Sequence, residues 1–133
     1  MEGNAGPVLK NLRQLFANDS QHVLVEHGWY PHDAFKQMIR DEIDIGMQVS
    51  FTETYNIVAA DHVDYGVSVV ASDEVAFIAW PFIADPNDVN SMVTALERCV
   101  RYRKLHVNKL NNFKLDGLND QAVGAWVKFI RKL

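Results

Sequence analysis

The sequence predicts an α+β fold: a three-stranded antiparallel sheet, four-stranded if a short strand at 20–28 joins it. Helices from both chain ends pack on one face. Three observations lead there. Apolar residues recur at helical spacing in the first and last thirds of the chain. Between Met47 and Ala59 the period changes to two. The connections between the strand-like segments are too short for crossover helices, so neighbouring strands run antiparallel. At 133 residues and 48% hydrophobic content, the chain makes one domain with a real core.

The elements follow in order. In 4–20, Val8, Leu9, Leu12, Leu15 and Phe16 recur as on a helix, and "NDS" ends the run. Residues 20–28 read two ways. Val23 and Val25 suit a short strand, whereas Ser20 as a cap and Gly28 as a stop suit one and a half helical turns. In 30–46, Pro31 fits a first helical position. Phe35, Met38, Ile39 and Ile43 make the apolar face, and Gly46 suits a left-handed stop. In 47–59, Met47, Val49, Phe51, Tyr55, Ile57 and Ala59 share one face of a strand. Gln48, Ser50, Thr52, Thr54 and Asn56 share the other, which with Ser68 stands open to water or a partner. "YGVSVVA" and "VAFIAWPF" are the next two strands, joined at "SDE".

A helix follows over 85–105. Asp85 caps it, Pro86 opens it, and Val89, Met92, Val93, Leu96 and Val100 form its stripe. After a connection at 108–117, the last helix turns Val123, Trp126, Val127 and Ile130 inward and Lys128, Arg131 and Lys132 outward. The same pattern also suits a helix lying on an anionic membrane, although docking is the commoner use of a terminal helix.

Charge divides the chain. Residues 41–97 hold eleven acids and no Lys or Arg, whereas 98–133 hold nine bases and two acids, within a net charge of -4. Such a split informs on partners rather than on fold. No apolar run approaches the roughly 18 to 20 residues of a membrane helix. The first ten residues lack the pattern of a cleaved signal, and Cys99 is the one cysteine. Together these point to the cytoplasm of a cell or host cell.

"VEHGWYPHD", residues 25–33, is the densest stretch of reactive side chains. His22, His27 and His32 are spaced by five, which puts them about 140° apart on a helix and on opposite faces of a strand. Zinc ligands sit at closer steps. The stretch therefore reads as a corner in which Trp29 and Tyr30 pack, with no metal and no cofactor. Glu53 interrupts the apolar face of the first strand. It is either a carboxylate in a core, as in catalytic acids, or a bulge that reaches solvent. Cys99 reads as a buried small hydrophobe. There is no Gly-rich phosphate loop and no G-x-S-x-G.

The leading expectation is a non-enzymatic protein-binding module of the adaptor, secretion-chaperone, immunity or inhibitor type. It would present Asp41, Glu42, Asp44, Asp61, Asp64, Asp73 and Glu74 to a basic partner protein. A small enzyme or metal-binding protein using His27, His32, Asp33 and Glu53 is the alternative. A nucleic-acid binder using the basic stretch from Arg98 to Lys109 is the third reading, weakened by the acidic total. Homo-oligomerisation is compatible with each. The basic helices are also able to neutralise the acidic segment internally.

Overall fold

A computed structural model describes residues 6–132. The chain falls into two compact units, the first ending at Tyr30 and the second beginning at Pro31.

In the first unit, α1 (Pro7–Ala17) forms where the spacing predicts it. Pro7 sits in the first turn, where an N–H would have no helical partner. None of its residues is buried. Asp19 then turns the chain, its Oδ1 accepting from the Gln21 and His22 amides at 2.7 and 3.0 Å. Residues 20–28 form neither the strand nor the helix that the sequence allows. They are tied back instead by a bidentate pair, Arg13 donating to both Glu26 oxygens at 2.6 and 2.8 Å.

The second unit opens with α2 (His32–Glu42), whose Ile39 is fully buried. Asp33 lies in its first turn and Arg40 in its last, each matching the helix dipole. The helix stops at Glu42, because Ile43 is extended, and Gly46 is not its cap. Gly46 lies in β1 (Ile45–Gln48). A Cβ there would fall 2.5 Å from Cδ2 of His62, so glycine admits the imidazole against the strand.

The antiparallel meander is not what forms. Among the described residues the sheet has two strands, β1 and β2 (Ser68–Ala71), and they run parallel, Ile45 opposite Ser68 and Gln48 opposite Ala71. Parallel neighbours need a crossover, and α3 (Ile57–Asp64) supplies it. The alternation at 47–59 misleads because it joins three things: the end of β1, a loop, and a helix cap. Asn56, read as a solvent-facing strand residue, is that cap, its side-chain oxygen accepting from the Ala59 amide at 2.9 Å. The apolar positions of the supposed strand separate accordingly. Ala59 is buried, whereas Phe51, Tyr55 and Ile57 are exposed. The open polar face dissolves too, since Ser68 is buried and the Ser50 amide donates to the Ser72 hydroxyl at 3.3 Å.

"VAFIAWPF" is not a strand either. It is a run of turns with a cis Trp80–Pro81 bond, joined to β2 by one parallel bridge between Ala71 and Ile83. Pro81 has no N–H to give to a ladder. The backbone here is satisfied by side chains of α5 (Lys109–Ile130): Asn111 Oδ1 accepts from the Ala79 amide, and Lys114 Nζ donates to the Ile78 carbonyl, both at 2.8 Å. The segment is apolar because Phe77, Ile78 and Phe82 plug the core.

α4 (Val89–Tyr102) forms as expected, but Asp88 caps it, accepting from the Asn90 amide at 2.9 Å. Asp85 caps the preceding turn instead, accepting from the Asn87 amide at 2.8 Å. Its packed face is Met92, Ala95, Leu96 and Cys99, while Val89, Val93 and Val100 are exposed. A short 3₁₀ turn (Arg103–Leu105) leads to α5, which absorbs the predicted connection at 108–117. α3 and α4 pack on β2, and α2 and α5 pack on α3. Among the described residues no helix is long and apolar enough to cross a membrane.

Candidate functional site

The predicted acidic surface separates into spent and unspent carboxylates. Asp41 is held by its neighbour Arg40 at 2.7 Å, which lowers its pKa. Asp44 pairs with Arg103 at 2.6 Å, one contact that does join the acidic segment to the basic third of the chain. Asp61 accepts from Nε2 of His32 at 2.9 Å, linking the start of α2 to α3. Glu42 and Asp64 are exposed.

Asp73 and Glu74 are placed differently. They follow β2 in a turn and line a concavity of about 380 Å³ together with Phe51, Ile83, Asp85 and Pro86. No Lys or Arg is among the lining residues. Phe51 comes from the loop after β1 and is 69% exposed, although the alternation had placed it in the core. The concavity thus brings an aromatic ring and aliphatic side chains together with three carboxylates. Low-dielectric walls next to charges of one sign concentrate the field, so a cation is drawn in and its aliphatic stem finds apolar cover. An aromatic face adds cation–π attraction. Asp85 falls within the predicted acidic stretch from Asp73 to Asp88, where it was read as a helix cap, and it lines the concavity beside Asp73 and Glu74.

The reactive stretch at 25–33 is dispersed among separate partners. Glu26 is paired with Arg13, which keeps its carboxyl below the usual range. His27 Nδ1 lies 3.1 Å from the Tyr30 hydroxyl. His32 is engaged by Asp61, and Asp33 serves the start of α2. Trp29 does not pack a corner, being fully exposed. Glu53 is a loop brace, accepting from the Thr54 amide and from Asn56 Nδ2, each at 3.0 Å. It therefore holds the segment that carries the α3 cap. Among the described residues no three His, Cys, Asp or Glu side chains gather as metal ligands would.

Two buried groups are structural. His62 donates from Nδ1 to the Val58 carbonyl at 2.7 Å and meets Phe35 edge-on. Cys99 is buried on the packed face of α4, and burial pushes its thiol up to about 11. At neutral pH it carries almost no thiolate, the form that reacts.

The basic third is also partly committed. Arg98 stands over the exposed ring of Trp80, 5.4 Å from its centroid, and Lys114 is used on the Ile78 carbonyl. The predicted inward face of the last helix is not inward: Val123, Trp126 and Ile130 are 62 to 65% exposed, and Phe129 is 55% exposed. The burial of α5 lies in its first half, at Asn111 and Leu115. Compared with protein-family models, curated proteins and solved structures, the chain matches none of them.

Proposed function

We propose that the protein is a non-catalytic protein-binding module that receives a basic side chain of a partner in the acidic concavity. The observation that supports this reading is the exposed Phe51 ring beside Asp73, Glu74 and Asp85, with no cation lining the same depression. An Arg or Lys of the partner lays its stem on Phe51 and Ile83 and offers its head to the carboxylates. Specificity comes from this apolar anchor, and the surrounding charge speeds encounter.

The test uses an arginine-rich peptide and a lysate pulldown with the full chain as bait. Asp73→Lys with Glu74→Lys is the informative variant, since both side chains are exposed. Asp61 is left intact because it holds His32. The expected result is peptide binding that weakens as salt shortens the screening length from about 10 Å at 0.1 M. The variant loses that binding while its thermal melt is unchanged. Phe51→Ser should weaken it as well, at constant charge. Binding that ignores both salt and these substitutions would overturn the proposal, as would a nucleic-acid ligand bound through Arg98, Arg101 and Lys104.

A further inference from the structure

The concavity of Phe51, Asp73, Glu74 and Asp85 stands at one edge of a small parallel arrangement whose middle is β2. Ala71, the last residue of β2, lies opposite Gln48, the last residue of β1. On its other side Ala71 makes the parallel bridge to Ile83, donating to the Phe82 carbonyl at 3.1 Å and accepting from the Ala84 amide at 2.9 Å. Three segments therefore leave the sheet at the same level and in the same direction. Phe51 follows Gln48 by three residues, Asp73 and Glu74 follow Ala71 by two and three, and Asp85 follows Ile83 by two. The crevice outside the carboxyl ends of parallel strands is where open α/β sheets hold their ligands.

The acids after β2 are held close to the sheet. The Val75 amide donates to the Ser72 carbonyl at 3.1 Å and closes a turn around Asp73 and Glu74, and Val75 itself is buried. Phe51 has no such turn. Residues 49–56 form neither strand nor helix, and the bond between Glu53 and Asn56 acts at the far end of that loop. Next to Phe51 there is one tie, the Ser50 amide donating to the Ser72 hydroxyl at 3.3 Å. Ser72 is fully buried and directly follows Val69, Val70 and Ala71, which are fully buried too. A hydroxyl in such a place is costly unless it is bonded, and alanine would fill the core as well. What the hydroxyl adds is a bond from the turn of the acids to the loop of the aromatic ring.

We infer that Ser72 is the positioning residue of the concavity: its hydroxyl, acting through the Ser50 amide, sets the Phe51 ring beside Asp73 and Glu74. The inference rests on the reading of that concavity as the binding site. An arginine that lays its stem on Phe51 needs the ring at a fixed distance from the carboxylates that take its head. A ring free to swing offers both contacts, but not together. Setting the loop in advance removes an ordering cost that binding would otherwise bear. Asn56 holds the other end of the loop at the α3 cap, so Phe51 lies between two fixed points. Ser68 supplies the comparison. It begins the same strand, is buried as well, and lies at the end of β2 away from the concavity.

The test measures binding of the arginine-rich peptide to the full chain and to Ser72→Ala, together with amide hydrogen exchange read by NMR. The expected result is an affinity lower by about three- to tenfold in the variant, the scale of one net hydrogen bond. The Ser50 amide should exchange slowly in the native chain and fast in the variant. The Val70 amide, in the β1–β2 ladder, should stay protected in both. Ser68→Ala removes a hydroxyl from the same strand and should leave the affinity unchanged, a pattern that a general loosening of the core would not give. A native Ser50 amide that exchanges as fast as a free loop amide would overturn the inference, and that measurement needs no variant. An equal loss of affinity in Ser68→Ala would also overturn it. A native chain that binds no peptide overturns the reading of the concavity and this inference with it. A native chain that binds, with Ser72→Ala binding equally well, overturns this inference alone.

Discussion

The two halves of α5 carry the same apolar pattern and have opposite surroundings. In the first half Leu115 is buried, Asn111 is buried and bonded to the Ala79 amide, and Lys114 and Asn112 donate to the Ile78 and Val63 carbonyls. In the second half Val123, Trp126, Phe129 and Ile130 are all more than half exposed. Helical periodicity shows that a helix has an apolar side. It does not show whether the rest of the chain reaches far enough to cover that side. Leu118 is the last α5 residue packed against the core, and the helix runs on for twelve residues beyond it.

The largest effect should come from the docked half. Leu115→Ala removes a buried side chain from the cluster of Phe77, Phe82 and Val63 and should cost about 2 to 4 kcal/mol. Chemical denaturation followed by circular dichroism measures it. A loss under about 1 kcal/mol would mean that this half is no better seated than the other.

A smaller effect comes from the two glycines inside the helix. Gly117 and Gly124 both have open space where a Cβ would go. Alanine is the better helix former by about 0.5 to 1 kcal/mol. Gly117→Ala lies in the half that unfolds with the core, so it should raise global stability by that amount. Gly124→Ala lies in the half without packing. It should raise helix content, read at 222 nm, and leave the denaturation midpoint of the dilute protein nearly unchanged. Equal shifts of the midpoint would show that the whole helix melts as one unit.

The same distinction explains how much of this molecule was legible in its sequence. α1, α2 and α4 were found because apolar spacing, Pro31 before α2 and the aspartates before α4 act locally. The sheet was misread because a period of two cannot tell a strand from a strand that stops. Gln48 ends β1, and Asn56 starts a helix only eight residues later. The clue was Asn56 itself, three residues before Ala59, where a cap belongs. "VAFIAWPF" was misread because apolar content was taken for a strand, while Pro81 already argued against a central one. Gly46 was read as a helix stop, but its reason is His62, sixteen positions away and brought against it by the crossover. The acidic pocket had the same fate. Asp73 and Glu74 were named, whereas Phe51 was assigned to the core and Asp85 to a helix cap. Long-range neighbours of this kind leave no local trace.

The smallest effect on stability, and the sharpest divergence from the sequence, belongs to Trp126. Placed on an inward stripe, its loss would cost about 3 to 5 kcal/mol, as for a buried aromatic. The indole is 65% exposed, and its aromatic neighbour is Phe129 on the same helix. Removing it deletes one edge-to-face contact, worth about 0.5 to 1.5 kcal/mol where fully formed, in a half-helix that adds little to global stability. Trp126→Ala should therefore change the unfolding free energy by less than about 1 kcal/mol, measured by chemical denaturation followed by circular dichroism. A loss of about 3 kcal/mol would mean that the indole is covered, and the contrast between the two halves of α5 would be gone.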